Sequence, residues 1–254
     1  MNKKKMFWRV VYVVAILLFL FALGSIIKFC LSGRPWEEQT TVTDITETTT
    51  PEDTRPVNPI NFDELKTINE DIYAWIRIPG TTVDHPILQS YEEHDNFYLT
   101  HNFEKKFDKV GSIYTQRKNN LFFSDPNTVI YGHNWANKLM FASLLRYKDP
   151  DFFEEYRYMY IYTPDRMLTY DIFAAYVYDD RHILNSFNMY DDEIFKAYLE
   201  SCLNPKSMVR NIREGVTLDV TDKIVTLSTC PTASRSAPNR YLVQGVLIKD
   251  EQTQ

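Results

Sequence analysis

Three cysteines occur in the 254-residue chain, and one of them stands where a strand has to end. Cys230 closes the run KIVTLST, residues 223 to 229, whose β-branched residues read as an interior strand, and Pro231 follows it at once. Proline has no N–H to give a ladder, so pairing stops at about Cys230 and the thiol is set at a strand exit, where clefts form. A thiol placed there can act as a nucleophile once a base or a cation makes it a thiolate, because its unperturbed pKa is about 8.5. A buried inert thiol, or a disulfide with Cys202 on the oxidising side of a membrane, are the competing readings. The other two cysteines have ordinary explanations. Cys30 sits at the edge of an apolar run, and Cys202 lies on the apolar face of a predicted helix, where a free thiol behaves as a small hydrophobe.

A base for Cys230 has to come from the five histidines. His85, His94, His101 and His182 lie in polar or loop-like settings and read as surface residues. His133 differs, because the strand TVIY runs into Gly132, whose conformational freedom lets His133 leave the sheet. Two strand exits then present His133 and Cys230 to one cleft. The segment from Pro231 to Asn239 is a loop between two strands. If these pair as a hairpin, Cys230 and Arg240 flank its mouth with α-carbons about 5 Å apart, and Arg240 brings a permanent cation to whatever Cys230 attacks. Arg235, within the loop, is the competitor, and the commoner fate of any arginine is a solvent-facing ion pair. Position at the strand base favours Arg240. The cysteines and histidines show no metal-ligand spacing, neither CxxC nor HExxH, and no cofactor is expected.

The elements that must position these residues are mostly strands. Runs rich in β-branched and aromatic residues cover 74–78, 82–88, 112–115, 128–131, 158–163, 167–177, 223–229 and 241–248, separated by Gly, Pro, Asn and Asp clusters. Eight short strands predict a mainly β barrel or sandwich. Helical patterns are fewer: residues 140–147, a short turn entered through Asp149 and Pro150, and residues 191–203 with Ile194, Phe195, Tyr198, Leu199 and Cys202 on one face. There is no internal repeat. Asn61 reads as a helix N-cap with Glu64 three residues on, which starts the folded domain, residues 60–254.

Ahead of it, residues 32–59 are rich in Thr, Glu and Pro and too poor in apolar residues to fold, so they read as an acidic spacer. Residues 10–31 read as a transmembrane anchor, since the apolar run from Val10 to Ile27 spans roughly 27 Å as a helix. A cleaved signal peptide has a shorter apolar stretch and a small-residue cleavage site, which FALGS imitates poorly. Lys3, Lys4, Lys5 and Arg9 hold residues 1–9 in the cytoplasm by the positive-inside rule, which places the domain outside the cell. Setting aside these four and Lys28 leaves 23 of the 28 basic residues against all 34 acidic ones, a net of -11. That excess argues against nucleic acid or anionic lipid as a main partner.

YGHN at 131–134, TLSTC at 226–230 and an arginine ten residues after the cysteine together resemble the sortases, membrane-anchored cysteine transpeptidases of Gram-positive bacteria. NFYL, GSIY, the MF that follows the histidine motif and DPDFF extend the resemblance from about Asn61 to Ile248. It is greatest to class B, in which a helix precedes the cysteine strand as residues 191–203 do here. The resemblance implies a closed eight-stranded β-barrel with peripheral helices, and His133, Cys230 and Arg240 at the catalytic positions. It also implies a substrate, the C-terminal sorting signal of a secreted protein of the NPxTN or LPxTG type, cleaved to a Cys230 thioester and passed to a peptidoglycan amine.

Two features depart from the family pattern: the proline after the cysteine, and a loop, PTASRSAPN, that matches no subclass. A pilin-polymerising sortase is the first alternative, weakened because no Asp-Pro-aromatic lid precedes the barrel and no second hydrophobic anchor follows it. A plain cysteine peptidase is the second, although papain-like enzymes place the cysteine before the histidine. From another class, the domain could be an adhesive or receptor ectodomain with Cys230 inert.

Overall fold

The computed structural model describes residues 55–135, 139–231 and 239–254. The expected anchor at 10–31 and residues 32–54 of the expected spacer lie outside the described residues. Among the described residues no helix is long and apolar enough to cross a membrane. Residues at the end of the expected spacer are tied into the domain: Asn58 Nδ2 donates to the Thr163 carbonyl at 2.7 Å, and Pro56 O accepts from the Gln254 amide at 2.9 Å.

Helix α1 (Phe62–Ile68) opens the domain. Asn61 Oδ1 accepts the Glu64 amide at 3.1 Å while Asn61 Nδ2 reaches the Glu64 carboxylate, the capping arrangement its sequence predicts. Strands β1 (Ile72–Arg77), β2 (Asp84–Leu88), β3 (Ile113–Thr115) and β4 (Asn127–Tyr131) follow. A small hairpin of β5 (Asn134–Trp135) and β6 (Leu139–Met140) leads to a 3-10 segment (Ala142–Lys148) and α2 (Pro150–Glu155). Then come β7 (Tyr158–Thr163), β8 (Arg166–Asp179), α3 (Ile183–Ser186), α4 (Asp192–Leu203) and β9 (Arg210–Ile212). Strands β10 (Ile224–Thr229) and β11 (Asn239–Gln252) complete the order.

Eight strands close on themselves in the order β11-β10-β4-β3-β2-β1-β7-β8, with β8 pairing back onto β11 along nearly its whole length. Of the barrel and the sandwich that eight strand runs allow, the barrel implied by the family resemblance is present, and β9 adds a ninth strand on the edge of β8 that β7 leaves uncovered. Residues on alternate positions fill the two larger of three apolar cores among the described residues. Ile76, Ile87, Ile130, Ile161, Val225 and Val243 belong to one, with Phe141 and Tyr147. Val129, Ile224 and Leu242, one step out of phase, pack with Phe195, Tyr198 and Leu199 of α4 in the other. A strand buried on both faces reads as a continuous apolar run, as VIY and IVTL do.

The 3-10 segment begins two residues later than the predicted helix at 140–147, because Leu139 and Met140 pair with Trp135 and Asn134 instead. The expected helix at 191–203 is α4. Its cap, Asp191, accepts the Glu193 and Ile194 amides, both at 3.1 Å. Between α4 and the sheet lies a satisfied polar network. Thr226 donates to Asn127 Oδ1 at 2.9 Å, Gln244 Nε2 donates to Thr226 at 3.0 Å and to the Tyr198 hydroxyl at 3.1 Å, and Tyr176 donates to Gln244 Oε1 at 3.0 Å.

Cys202 sits beside this network, fully buried, and burial pushes its thiol pKa up. It is a free thiol, as is Cys230, so the two are not joined in a disulfide. Cys202→Ala is expected to cost about 1 kcal/mol of stability, at the low end for removing buried volume. Turnover should remain largely unchanged, which urea unfolding and peptide cleavage on the same variant would check.

Candidate active site

Strands β4 and β10 are neighbours and parallel, with Tyr131 in register with Ser228. Parallel strands leave a sheet at the same end, so the residues that follow them, His133 and Cys230, emerge side by side although they are far apart in the chain. Strand β11 runs antiparallel to β10 with Thr229 opposite Tyr241. Cys230 is the next residue of the one strand and Arg240 the preceding residue of the other, and both line the same cleft.

The exit of β4 is built around Gly132. Its amide still donates to the Ser228 carbonyl at 3.2 Å, continuing the ladder. Its backbone is not in the left-handed region, so conformational freedom is not what glycine supplies here, contrary to the sequence expectation. The reason is space: a Cβ at 132 would lie 2.6 Å from Cδ2 of Phe141, a ring with no exposure. The Phe141 amide also donates to the His133 carbonyl at 2.9 Å, which fixes the turn. Gly132→Ala should therefore displace either Phe141 or the His133 turn, lowering stability by about 1–3 kcal/mol as other overpacked sites do. Loss of turnover should accompany a lowered unfolding midpoint.

His133 is half-buried, and its Nε2 lies 2.8 Å from the Leu99 carbonyl. A carbonyl only accepts, so the neutral ring carries its proton on Nε2 and leaves Nδ1 free to take another. Trp135 packs against the edge of the imidazole, ring centroids 6.2 Å apart. Asn134 Nδ2 donates to the Cys230 carbonyl at 2.9 Å, stitching the two strand exits together. Beyond Cys230, Lys148 Nζ donates to the Pro231 carbonyl at 3.4 Å and lies over the Tyr241 ring, 5.3 Å from its centroid.

Arg240 is half-buried, and its Nη1 donates to the Asn239 carbonyl at 3.0 Å. Burial pushes the phenols of Tyr114 and Tyr131 well above their ordinary range, and the Arg240 charge partly offsets this at both. The guanidinium thus acts on the cleft wall and not only on solvent. His133, Cys230 and Arg240 line a single open cleft of about 470 Å³ together with Leu99, Tyr114 and Tyr131. Arg235 lies outside the described residues.

The remaining histidines divide. His101 stacks on Phe97 with centroids 3.9 Å apart, and its Nδ1 meets the Phe97 carbonyl at 2.9 Å, a local structural contact. His85, on β2, is half-buried, and burial lowers its pKa. His182 is not a plain surface residue: it is half-buried, lines the same cleft as Cys230, and bonds Gln116 Oε1 through Nε2 at 2.7 Å. Its neighbours RHIL carry no strand or helix period, because it caps α3, a helix of only four residues. Gln116 and Asn96, also on the cleft, lie beyond the strand and helix patterns, and no sequence signal marks them.

This barrel, with a cysteine and a histidine brought to one cleft from adjacent parallel strands, is accompanied by a match to the sortase domain over residues 76–248, and the chain belongs to the sortase family. It is a sortase-type cysteine transpeptidase. Within that family its similarity is to sortase B. It is 33% identical to sortase B of Listeria monocytogenes over 187 residues, 73% of each chain, and 31% identical to sortase B of Staphylococcus aureus over 190 residues, 74% of this chain and 75% of that one. The structure of Clostridium perfringens sortase B superposes with a TM-score of 0.66 at 32% identity, covering 74% of this chain and all of the other. A Staphylococcus aureus sortase B-substrate complex superposes with a TM-score of 0.63 at 29% identity, over 74% and 84% of the two chains. The similarity of the chain to class B follows from these comparisons, and an inert adhesive ectodomain does not fit them.

Proposed function

We propose that this chain is a membrane-anchored transpeptidase that cleaves a C-terminal sorting signal of the NPxTN or LPxTG type on secreted proteins and joins them to a peptidoglycan amine. The observation that carries the reading is the convergence of Cys230, His133 and Arg240 on one cleft, with His133 held so that Nδ1 is its free base. Residues 10–31 anchor it with residues 1–9 in the cytoplasm, and the acidic spacer holds the catalytic domain off the outer face of the membrane.

The chemistry balances in two transfers. The Cys230 thiol gives its proton to His133 Nδ1, and the thiolate attacks the carbonyl carbon after the threonine of the signal. Arg240 meets the oxyanion that forms. The carbon–nitrogen bond then breaks, and the departing amine takes the proton from the imidazolium, leaving a thioester. An acceptor amine adds to that thioester, gives its proton to His133, and expels Cys230 as the carbon–sulfur bond breaks. The thioester conserves the energy of the amide bond, so the exchange needs no nucleotide. The substrate complex of the Staphylococcus aureus relative supports a peptide as the occupant of the cleft.

Incubating the purified full chain with a library of sorting-type peptides, with and without an amine nucleophile, tests the reading. Cleaved peptide joined to the added amine is the expected product. Release of free acid alone, unaffected by amine, would make the enzyme a peptidase, and no cleavage of any peptide would remove the proposal.

A further inference from the structure

One wall of the cleft is a chain of polar side chains drawn from three separate elements. His182 caps α3, Gln116 follows β3, and Asn96 precedes the 3-10 turn at Phe97–Leu99. His182 Nε2 lies 2.7 Å from Gln116 Oε1, Gln116 Nε2 donates to Asn96 Oδ1 at 2.8 Å, and the Tyr114 hydroxyl donates to the same oxygen at 3.3 Å. Gln116 is only 8% exposed, so its carboxamide must be satisfied by these partners. Asn96 is exposed at the cleft end of the chain.

Such a chain has two self-consistent directions, set by which ring nitrogen of His182 holds the proton. With the proton on Nε2, His182 donates to Gln116, Gln116 donates to Asn96, and Asn96 turns its Nδ2–H outward. With the proton on Nδ1, both carboxamides turn over and Asn96 presents oxygen instead. The surroundings of Nδ1 decide between them. That atom is buried without a hydrogen-bond partner among the described residues. A proton there would have at best a poorly aligned contact with the residue's own backbone, which is the costlier of the two defects. Burial also lowers the His182 pKa, consistent with a neutral ring. The His182 ring packs toward Tyr131, centroids 6.2 Å apart, which holds its plane.

We infer that Asn96 is a substrate-binding donor whose Nδ2–H takes a carbonyl oxygen of the bound sorting peptide, and that Gln116 and His182 are positioning residues that keep it pointing that way. This rests on the transpeptidase reading of the cleft. Asn96 Oδ1 is already engaged twice, and Nδ2 has no partner among the described residues, so the amide arrives at the cleft with a donor to offer.

Steady-state cleavage of one sorting peptide by the full chain, purified in detergent, tests this. Asn96→Asp is isosteric and exposed, and removes the donor while keeping the oxygen that Gln116 and Tyr114 hold. It should raise KM about tenfold and leave kcat within about twofold, the size of one lost hydrogen bond. Gln116→Glu can only accept, so Asn96 must turn over, with the same KM effect. Asn96→Asp combined with His182→Leu should be no worse than Asn96→Asp alone, because His182 acts only through the donor already removed. His182→Gln, whose amide can still donate to Gln116, should keep more of the parent kcat/KM than His182→Leu. A KM for Asn96→Asp within twofold of the parent, or additive losses in the double variant, would overturn the relay while leaving the enzyme a transpeptidase. A parent chain that cleaves no peptide would overturn both.

Discussion

Cys230→Ala is expected to form no thioester at all, and His133→Ala to lose turnover by about 10⁴-fold or more, with both variants folded. The magnitude follows from removing a nucleophile or its base from a unit whose members act together, where either loss costs nearly the whole chemical acceleration. The fold should survive because neither side chain fills a core. Both are half-buried, and both lie one or two residues past the last paired position of their strands. His133→Ala gives up one hydrogen bond, to the Leu99 carbonyl, and an edge contact with Trp135, which is a small loss beside either apolar core. Mass spectrometry of the chain after exposure to peptide should show the acyl adduct on the parent and none on Cys230→Ala. Thermal unfolding of the three should agree within a few degrees. If Cys230→Ala keeps the adduct and Cys202→Ala loses it, the nucleophile has been misassigned.

The contrast between those two cysteines also shows how far the sequence reaches. Cys202 follows Phe195, Tyr198 and Leu199 at helical spacing and is buried with them, so a periodic pattern placed it. Cys230 was placed by a different signal, the proline that ends pairing. The local rule for ending a strand gave the position of the thiol, just past Thr229, and the hairpin rule gave the antiparallel pairing of β10 with β11. Neither rule could bring His133 to it. The adjacency of β4 and β10 spans about a hundred residues, with Asn127 bonded to Thr226 across a separation of 99. The two strand exits allowed them a common cleft, and the family resemblance gave them a shared role there.

Other elements escaped for reasons of length and chemistry. Strand β9 has three residues and the β5–β6 hairpin two on each side, too few for alternation to show. Gly132 was singled out correctly but for the wrong property, since the packing of Phe141 against its α-carbon is a tertiary fact that no local pattern encodes. Asn96, Gln116 and His182 are polar residues of connecting segments. Their common purpose exists only once the segment after β8 folds back to the cleft beside β3 and the turn at Phe97–Leu99.

Arg240→Ala is expected to lower turnover by about 100-fold to 1000-fold, the usual cost of losing one donor to a developing oxyanion. Cysteine and serine enzymes commonly draw such donors from backbone amides beside the nucleophile, and here the adjacent residue is Pro231, which has none. The backbone carbonyls nearby are turned to other work: Cys230 O accepts from Asn134 and Pro231 O accepts from Lys148, so these two side chains are committed to holding the turn. Arg240 has five N–H donors, of which one is given to the Asn239 carbonyl among the described residues, and the side chain lines the cleft. Its charge, already felt by Tyr114 and Tyr131, is suited to an oxyanion that appears only as Cys230 attacks. Arg240→Lys keeps the charge and loses the planar fork, so it too should be poorly active, whereas Arg235→Ala should be mild. The loss should fall on kcat more than on KM, because the donor is matched to the transition state and not to the ground-state carbonyl. Turnover of Arg240→Ala within about threefold of the parent, at an unchanged unfolding midpoint, would remove Arg240 from the mechanism and send the search for the oxyanion donor to another backbone segment of the cleft.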